Sequence, residues 1–159
     1  MTKKDKRILG INPGTRYLGL AVFCGSELLD WRVKTFRGKW RKEKAGKIIK
    51  IMNDYIELYN INTISLKKCH PSRASKNLNL LVLRIKALAR RKKIKVYQYS
   101  IKELEKLFLD NEKLNGKNLA EKIVSEYPVL IYDFQREKSN RNSYYLKGLE
   151  AVALGAIIR

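Results

Sequence analysis

The stretch that decides the fold is Ile8-Leu9-Gly10-Ile11-Asn12-Pro13-Gly14-Thr15-Arg16. Its apolar residues predict a β-strand over residues 7–11, which ends at the polar side chain of Asn12 and turns at Pro-Gly. Residues 17–23 are apolar again and predict a second strand. The stretch therefore predicts two successive strands with a polar residue at the tip of the first.

The composition of the chain predicts one domain over residues 1–159 and a partner of opposite charge. A chain of 159 residues can bury a core without disulfides or a structural metal. It carries 35 Lys and Arg residues against 15 Asp and Glu residues, a net charge of +20. Such an excess predicts a polyanionic partner, for which nucleic acid is the usual candidate. A lysine-rich solvated surface would explain part of this excess.

Cysteine and histidine are too few to predict a zinc site. The chain has Cys24, Cys69 and His70, and no Cys-x-x-Cys pair. No apolar run is long enough to span a membrane, and no signal peptide is visible. The sequence therefore predicts a cytoplasmic protein in a reducing compartment.

The remaining pattern predicts a mixed sheet flanked by helices. A third strand over residues 27–36 completes an antiparallel meander, and a helix over residues 43–59 leads by a parallel crossover to a strand over residues 63–66. Ser100 and Glu103 form a capping box that starts a helix. The other predicted elements are a helix over 72–93, a strand over 94–99, a helix over 117–126, an irregular segment over 127–142 and a helix over 144–158. The fold class is α/β, with five strands in the order βββαβαβααα.

The chain resembles the RuvC-type Holliday-junction resolvases of the ribonuclease H-like superfamily. That family opens with Ile-Leu-Gly-Ile-Asp-Pro-Gly, which the segment 8–14 matches except at Asn12. Three later segments also resemble the family: the strand at 64–68, the strand and helix at 96–106, and the helix at 147–157. The resemblance covers nearly the whole chain and implies the ribonuclease H-like fold.

The resemblance also locates a catalytic site and shows how this chain departs from it. The family uses four carboxylates to hold two divalent ions, which activate a water and stabilise the leaving oxygen. The matching positions here are Asn12, Lys67, Lys147 and Glu150, of which only Glu150 is an acid. One carboxylate with two ammonium groups should repel Mg²⁺, so we expect no metal and no other cofactor.

Lys67 and Lys147 allow two interpretations. In one, the acidic site has decayed and both lysines are tolerated, paired with Glu150. In the other, their ammonium groups occupy the place of the metals and hold a backbone phosphate without cutting it.

Basic residues around these positions are candidates for contacts with nucleic acid. One group surrounds the segment that follows the central strand, and another lies in the loop before the first helix. Trp40 in that loop could stack on a base or pack onto the adjacent helix. The candidate nucleic-acid-binding residues are Lys67, Lys68, Arg73, Lys76, Arg37, Lys39, Arg41 and Lys147.

Three functions are compatible with these observations. The first is a catalytically silent resolvase-like protein that binds branched or structured DNA. The second is an active Holliday-junction endonuclease that uses Mg²⁺ or Mn²⁺ and an altered acid set, to which Asp133 or Glu137 could contribute. The third is a non-catalytic subunit of a nucleoprotein assembly. The resemblance further implies a homodimer, DNA favoured over RNA, and association with the nucleoid.

Overall fold

The computed structural model describes residues 6–69, 74–109, 116–139 and 144–158. In this part of the chain, five strands and six α-helices follow one another, with a 3₁₀ turn at Pro128–Leu130 before the fifth helix. The strands are β1 (Arg7–Asn12), β2 (Tyr17–Cys24), β3 (Glu27–Thr35), β4 (Thr63–Lys67) and β5 (Lys95–Tyr99). The helices are α1 (Lys42–Leu58), α2 (Lys76–Arg91), α3 (Ile101–Leu109), α4 (Gly116–Glu126), α5 (Ile131–Ser139) and α6 (Tyr144–Ala156).

The five strands form one mixed sheet in the order β3-β2-β1-β4-β5. β1 to β3 are an antiparallel meander, whereas β4 is parallel to both β1 and β5. The predicted meander, crossover and α/β class are therefore confirmed. Because β1, β3, β4 and β5 run in the same direction, they all finish at one end of the sheet, which we call the carboxyl end.

Apolar side chains cover both faces of the sheet and divide the core in two. On one face, Leu9 and Ile11 of β1 pack with buried residues of α1 and α2. On the other, Ile8 of β1 and Phe23 of β2 pack with α3, α4 and α6. The alternation along β1 puts Asn12 on the same face as Ile8, under α6. No helix in the described ranges is both long and apolar enough to cross a membrane.

Two glycines allow α6 to lie against the sheet. A Cβ atom at Gly10 would clash with the carbonyl oxygen of Ala151, and one at Gly19 would clash with that of Lys147. Gly19 pairs with Asn12 in the sheet. Backbone contact at these positions therefore brings the first turns of α6 directly over the end of β1.

Several predictions from the sequence were wrong in detail. The segment over 127–142 was predicted as irregular, but its described residues, 127–139, contain the turn at Pro128–Leu130 and α5, so the described ranges hold one more helix than the predicted order; residues 140–142 lie outside them. Pro128 starts the 3₁₀ turn, and the burial of Leu130 fixes it against the core. The second helix begins later than residue 72, because Ser75 caps it by accepting a hydrogen bond from the Leu78 N–H (3.1 Å).

The capping box that was predicted for α3 is confirmed. The Glu103 N–H donates to Ser100 Oγ (3.1 Å), and the Ser100 N–H donates to Glu103 Oε1 (3.3 Å). This cap satisfies two backbone donors and fixes the start of α3 directly after β5.

Candidate functional site

The structure brings together the four positions predicted from the sequence. Asn12 ends β1, Lys67 ends β4, and Lys147 and Glu150 lie in the first two turns of α6. Because β1 and β4 are parallel neighbours, their last residues lie side by side at the carboxyl end of the sheet. The helix reaches them through the close contact at Gly19. We call these four residues the central cluster.

Glu150 contacts two other members of the central cluster. Its Oε1 accepts a hydrogen bond from Asn12 Nδ2 (2.8 Å) and another from Lys67 Nζ (3.3 Å). The second contact is a salt bridge, in which the side chains of Lys67 and Glu150 are 23% and 12% exposed. Low exposure strengthens such a pair relative to a surface ion pair. Glu150 is thus already neutralised by a side chain of the protein.

Asn12 is completely buried and oriented by its hydrogen bonds. Its Nδ2 also donates to the carbonyl oxygen of Lys147 at 3.4 Å, so the amide links β1 to α6. Its Oδ1 is buried and has no hydrogen-bond partner among the residues that the structure describes. The side of the amide that faces Glu150 therefore carries N–H donors, which do not bind a cation.

Lys147 is the second cation of the central cluster. Its Nζ donates to the carbonyl oxygen of Pro13 at 3.5 Å, and in the described ranges it forms no salt bridge. Burial lowers the pKa of this ammonium group, and the nearby charge of Lys67 lowers it further. Glu150 acts in the opposite direction with a smaller effect. An additional anion beside this ammonium group would raise its pKa again and offset the effects of burial and of the Lys67 charge.

Glu105 is a member of the site that the sequence analysis did not single out. It is 8% exposed, and its pKa is raised by burial and then by the negative charge of Glu150. The sequence carries a signal for it, because Glu105 lies on the face of α3 that Ile101, Leu104 and Phe108 make apolar. An acidic residue on the apolar face of a helix indicates that its carboxyl group is buried.

The central cluster does not fit the divalent ions that the resemblance implies. Mg²⁺ needs several oxygen ligands in octahedral arrangement, usually including carboxylates. Here Glu150 Oε1 is taken by an ammonium and an amide N–H. No group of three or more acidic, His or Cys side chains in the described ranges could hold a metal ion. Lys67 supplies to Glu150 the positive charge that a metal would otherwise bring.

The other candidate nucleic-acid-binding residues that the structure describes lie at the same end of the sheet. Arg37, Lys39 and Arg41 are exposed in the loop that follows β3. Lys68 follows β4 and forms a partly exposed ion pair with Glu103 (3.7 Å), and Lys76 is exposed at the start of α2. Arg73 lies outside the described residues. Trp40 packs against the core beside α1 and α2, as one of its two interpretations expected.

Of the two acids considered for an altered catalytic set, the structure describes the side chain of Asp133, which bonds to a residue outside the central cluster. Asp133 Oδ2 accepts a hydrogen bond from Trp31 Nε1 at 2.8 Å, which ties α5 to the edge strand β3. The side chain of Glu137 lies outside the part that the structure describes. Glu105 is an acid whose pKa is raised by burial and then by the negative charge of Glu150.

Comparisons with solved structures identify the fold. The chain is similar to Thermus thermophilus RuvC in complex with a Holliday junction substrate, with a TM-score of 0.72 and 15% identity over 95% of this chain and 90% of that one. It is similar to the yeast mitochondrial Holliday junction resolvase, with a TM-score of 0.68 and 13% identity over 95% and 76% of the two chains. For Fowlpox virus resolvase with its Holliday junction DNA, the TM-score is 0.59 and the identity 15%, over 96% and 95%.

The chain therefore has the ribonuclease H-like fold of the RuvC-type resolvases, and the predicted resemblance in fold is confirmed. No family model matches the sequence, and no curated protein matches it.

Proposed function

We propose that this chain is a resolvase-like protein that binds branched DNA and does not cut it. The observation that carries the proposal is the central cluster. In it, Lys67 forms a salt bridge with Glu150, and Lys147 has no carboxylate partner in the described ranges. Two ammonium groups at positions that match the acids of the family the chain resembles suit a backbone phosphate. The solved relatives named above include two complexes with Holliday junction DNA.

The direction of the helices supports phosphate binding at this end of the sheet. α1, α2 and α3 each follow a strand that finishes at the carboxyl end, so their N-termini point toward it. α6 also begins there, because Lys147 lies over Asn12. Helix N-termini carry partial positive charge and unpaired N–H groups, which favour anions. The partial positive charges of the helix N-termini and the basic side chains therefore both favour an anion at the carboxyl end of the sheet.

The loss of cutting follows from the chemistry of the donor set. Phosphodiester hydrolysis on this fold requires metal ions that activate water and stabilise the leaving oxygen. Lys67 and Lys147 can neutralise a phosphate, but an ammonium group does not generate hydroxide at neutral pH. The chain would thus hold the strand near the crossover and leave it intact. DNA is preferred over RNA in this proposal, and a homodimer would match the two-fold symmetry of a four-way junction.

A combined binding and cleavage experiment tests this function. A four-way junction, duplex DNA and duplex RNA are compared at fixed salt, each with EDTA, Mg²⁺ or Mn²⁺. We expect selective binding of the junction without cleavage under any condition, and no Mg²⁺-dependent cleavage from Asn12→Asp. Nicking that depends on metal would overturn the proposal and would favour a site in which Glu105 joins Glu150.

A pair of double variants tests the role of the two lysines. Lys67→Ala with Lys147→Ala should weaken junction binding at least 10-fold, because two phosphate contacts are lost. The matched control is Lys6→Ala with Lys95→Ala, which removes the same charge at the opposite end of the sheet, where β1 and β5 begin. Equal affinities of the two double variants would show that the lysines of the central cluster do not bind phosphate. Weak binding of every DNA by the wild-type chain would favour a subunit that needs a protein partner.

A further inference from the structure

A cavity of about 430 Å³ lies between the edge strand β3 and the helices α5 and α6. Two aromatic residues line it, Trp31 from β3 and Tyr145 from α6, together with the basic residues Arg32 and Lys34. Asp133 of α5 and Gly148 of α6 complete the wall. The volume is within the range of small-molecule sites, so it can hold a nucleobase and its sugar.

The cavity is next to the central cluster. Gly148, which lines the cavity, directly follows Lys147 in α6. In the sheet, Asn12 pairs with Gly19 and Gly19 pairs with Val33, so the cavity wall lies two strand spacings, about 10 Å, from the end of β1. A strand whose phosphate sits at Lys147 therefore has its neighbouring nucleotide within reach of the cavity.

Trp31 is held as a rigid wall. Its Nε1 donates to Asp133 Oδ2 at 2.8 Å, and its ring packs against the core under α6. The guanidinium group of Arg136 lies over one face of the Tyr145 ring, 6.0 Å from the ring centre, so this face is already covered. Gly148 lets α6 lie close to β3 at the border of the cavity, because a Cβ atom there would be only 3.1 Å from Val33 Cγ2.

We infer that this cavity binds an unpaired nucleobase of the nucleic acid held at the central cluster. Aromatic faces combined with basic residues are the composition with which proteins hold unstacked bases, since every base presents a π-face. In branched DNA, base pairs beside the branch point lack a stacking neighbour, so their opening supplies such bases. The inference rests on the proposed function, because the phosphate at Lys147 brings the nucleotide to the cavity.

Tryptophan fluorescence gives a direct test. The sequence has two tryptophans, so Trp40→Phe leaves Trp31 as the sole emitter. This full-length variant is titrated with a duplex that carries one unpaired thymidine, the same duplex with an abasic residue at that position, and a fully paired duplex. We expect quenching of Trp31 and roughly 10-fold tighter binding only for the unpaired base.

Two tyrosine variants separate stacking from folding. Tyr145→Ala should remove most of the preference for the base over the abasic residue, while circular dichroism shows an intact fold. Tyr132→Ala is the matched control, because Tyr132 is 72% exposed on α5 and does not line the cavity. Equal affinity for the base and the abasic residue, without quenching, would overturn the inference. If the Trp40→Phe variant still bound a four-way junction more tightly than the fully paired duplex, the proposed function would stand; if it did not, both would fail.

Discussion

At the scale of single residues, Asn12 determines what the central cluster can hold. The Asn12→Asp variant loses the Nδ2 donor to Glu150 and to the carbonyl oxygen of Lys147, and it buries a second carboxylate against the first. We expect a loss of about 2 kcal/mol in the free energy of unfolding at pH 8. The new carboxyl would have a raised pKa, so the folded state binds its proton more tightly and the loss shrinks as the pH falls.

Urea unfolding of this variant at pH 8 and pH 5 checks the prediction. Asn53→Asp is the control, because Asn53 Nδ2 also donates to a carboxylate, Glu57 (3.5 Å), but on the surface of α1. Asn53→Asp should lower the free energy of unfolding by less than half as much as Asn12→Asp does. A difference between Asn12→Asp and wild type that stays the same at both pH values would contradict the assigned environment.

Lys147 makes the protein's charge at the site depend on pH. Its pKa lies below the usual 10.5 because of burial and the charge of Lys67. Phosphate binding needs the protonated form, so we expect junction affinity to fall between neutral pH and 10.5, before ordinary lysines lose their protons. Stability should move the other way: the unfolded chain binds more protons in this window, so the contribution of Lys147 to the free energy of unfolding rises with pH.

Junction binding by Lys147→Arg, measured from pH 7 to pH 10 at constant ionic strength, isolates this effect. Arginine keeps its charge throughout that range. The variant should therefore show a flatter profile than wild type. Parallel profiles would mean that Lys147 does not contact the DNA.

At the scale of elements, the contact between β1 and α6 positions the site. Gly10→Ala would force its Cβ atom against the carbonyl oxygen of Ala151, and a backbone atom cannot move aside as a flexible side chain can. We expect a loss of about 2 kcal/mol or more in the free energy of unfolding. Gly46→Ala is the control, since nothing lies within 4 Å of a Cβ atom there and alanine favours the helix. Thermal unfolding of both variants checks the pair; similar midpoints would contradict the close contact.

The sequence predicts elements well where the local pattern and the tertiary packing agree. β1, β2 and the capping box of α3 all follow from residues that are close in the chain. α5 does not, because the residues that hold it reach distant partners: Leu130 packs into the core, and Asp133 bonds to Trp31 of β3. Leu80 and Leu83 of α2 are apolar residues at helical spacing, yet they are 45% and 61% exposed. A helical pattern identifies apolar residues without telling which of them meet a neighbour.

At the scale of the whole molecule, the sequence predicted which four residues form the central cluster. It did not predict how these residues are paired. The family resemblance led to Asn12, Lys67, Lys147 and Glu150, and the structure places them together. The pairing of Lys67 with Glu150, and the burial of Glu105, depend on how α3 and α6 meet the ends of the strands. The cavity at Trp31 was also beyond sequence reasoning, because it joins β3 to α5 and α6, and its residues Trp31 and Asp133 are 102 positions apart in the chain.

The distribution of charge leads to a prediction for the whole molecule. The net charge of +20 alone predicts that DNA affinity falls as salt rises. The topology adds a direction: the loop after β3 lies at the carboxyl end of the sheet, with the central cluster and the helix N-termini. Phosphates should therefore contact this end, and charges elsewhere should act only at long range, where salt screens them.

Two triple variants measure this asymmetry through the slope of log affinity against log salt concentration. Each phosphate contact contributes about 0.9 to the slope for duplex DNA, so alanine at all three basic residues of the loop should lower its magnitude by about 2 to 3. The same charge removed at the opposite end of the sheet should leave the slope nearly unchanged. The loop variant changes Arg37, Lys39 and Arg41, and the control changes Lys6, Arg90 and Lys95. Equal reductions in the two variants would mean that DNA responds to the net charge of the protein and does not dock at the carboxyl end.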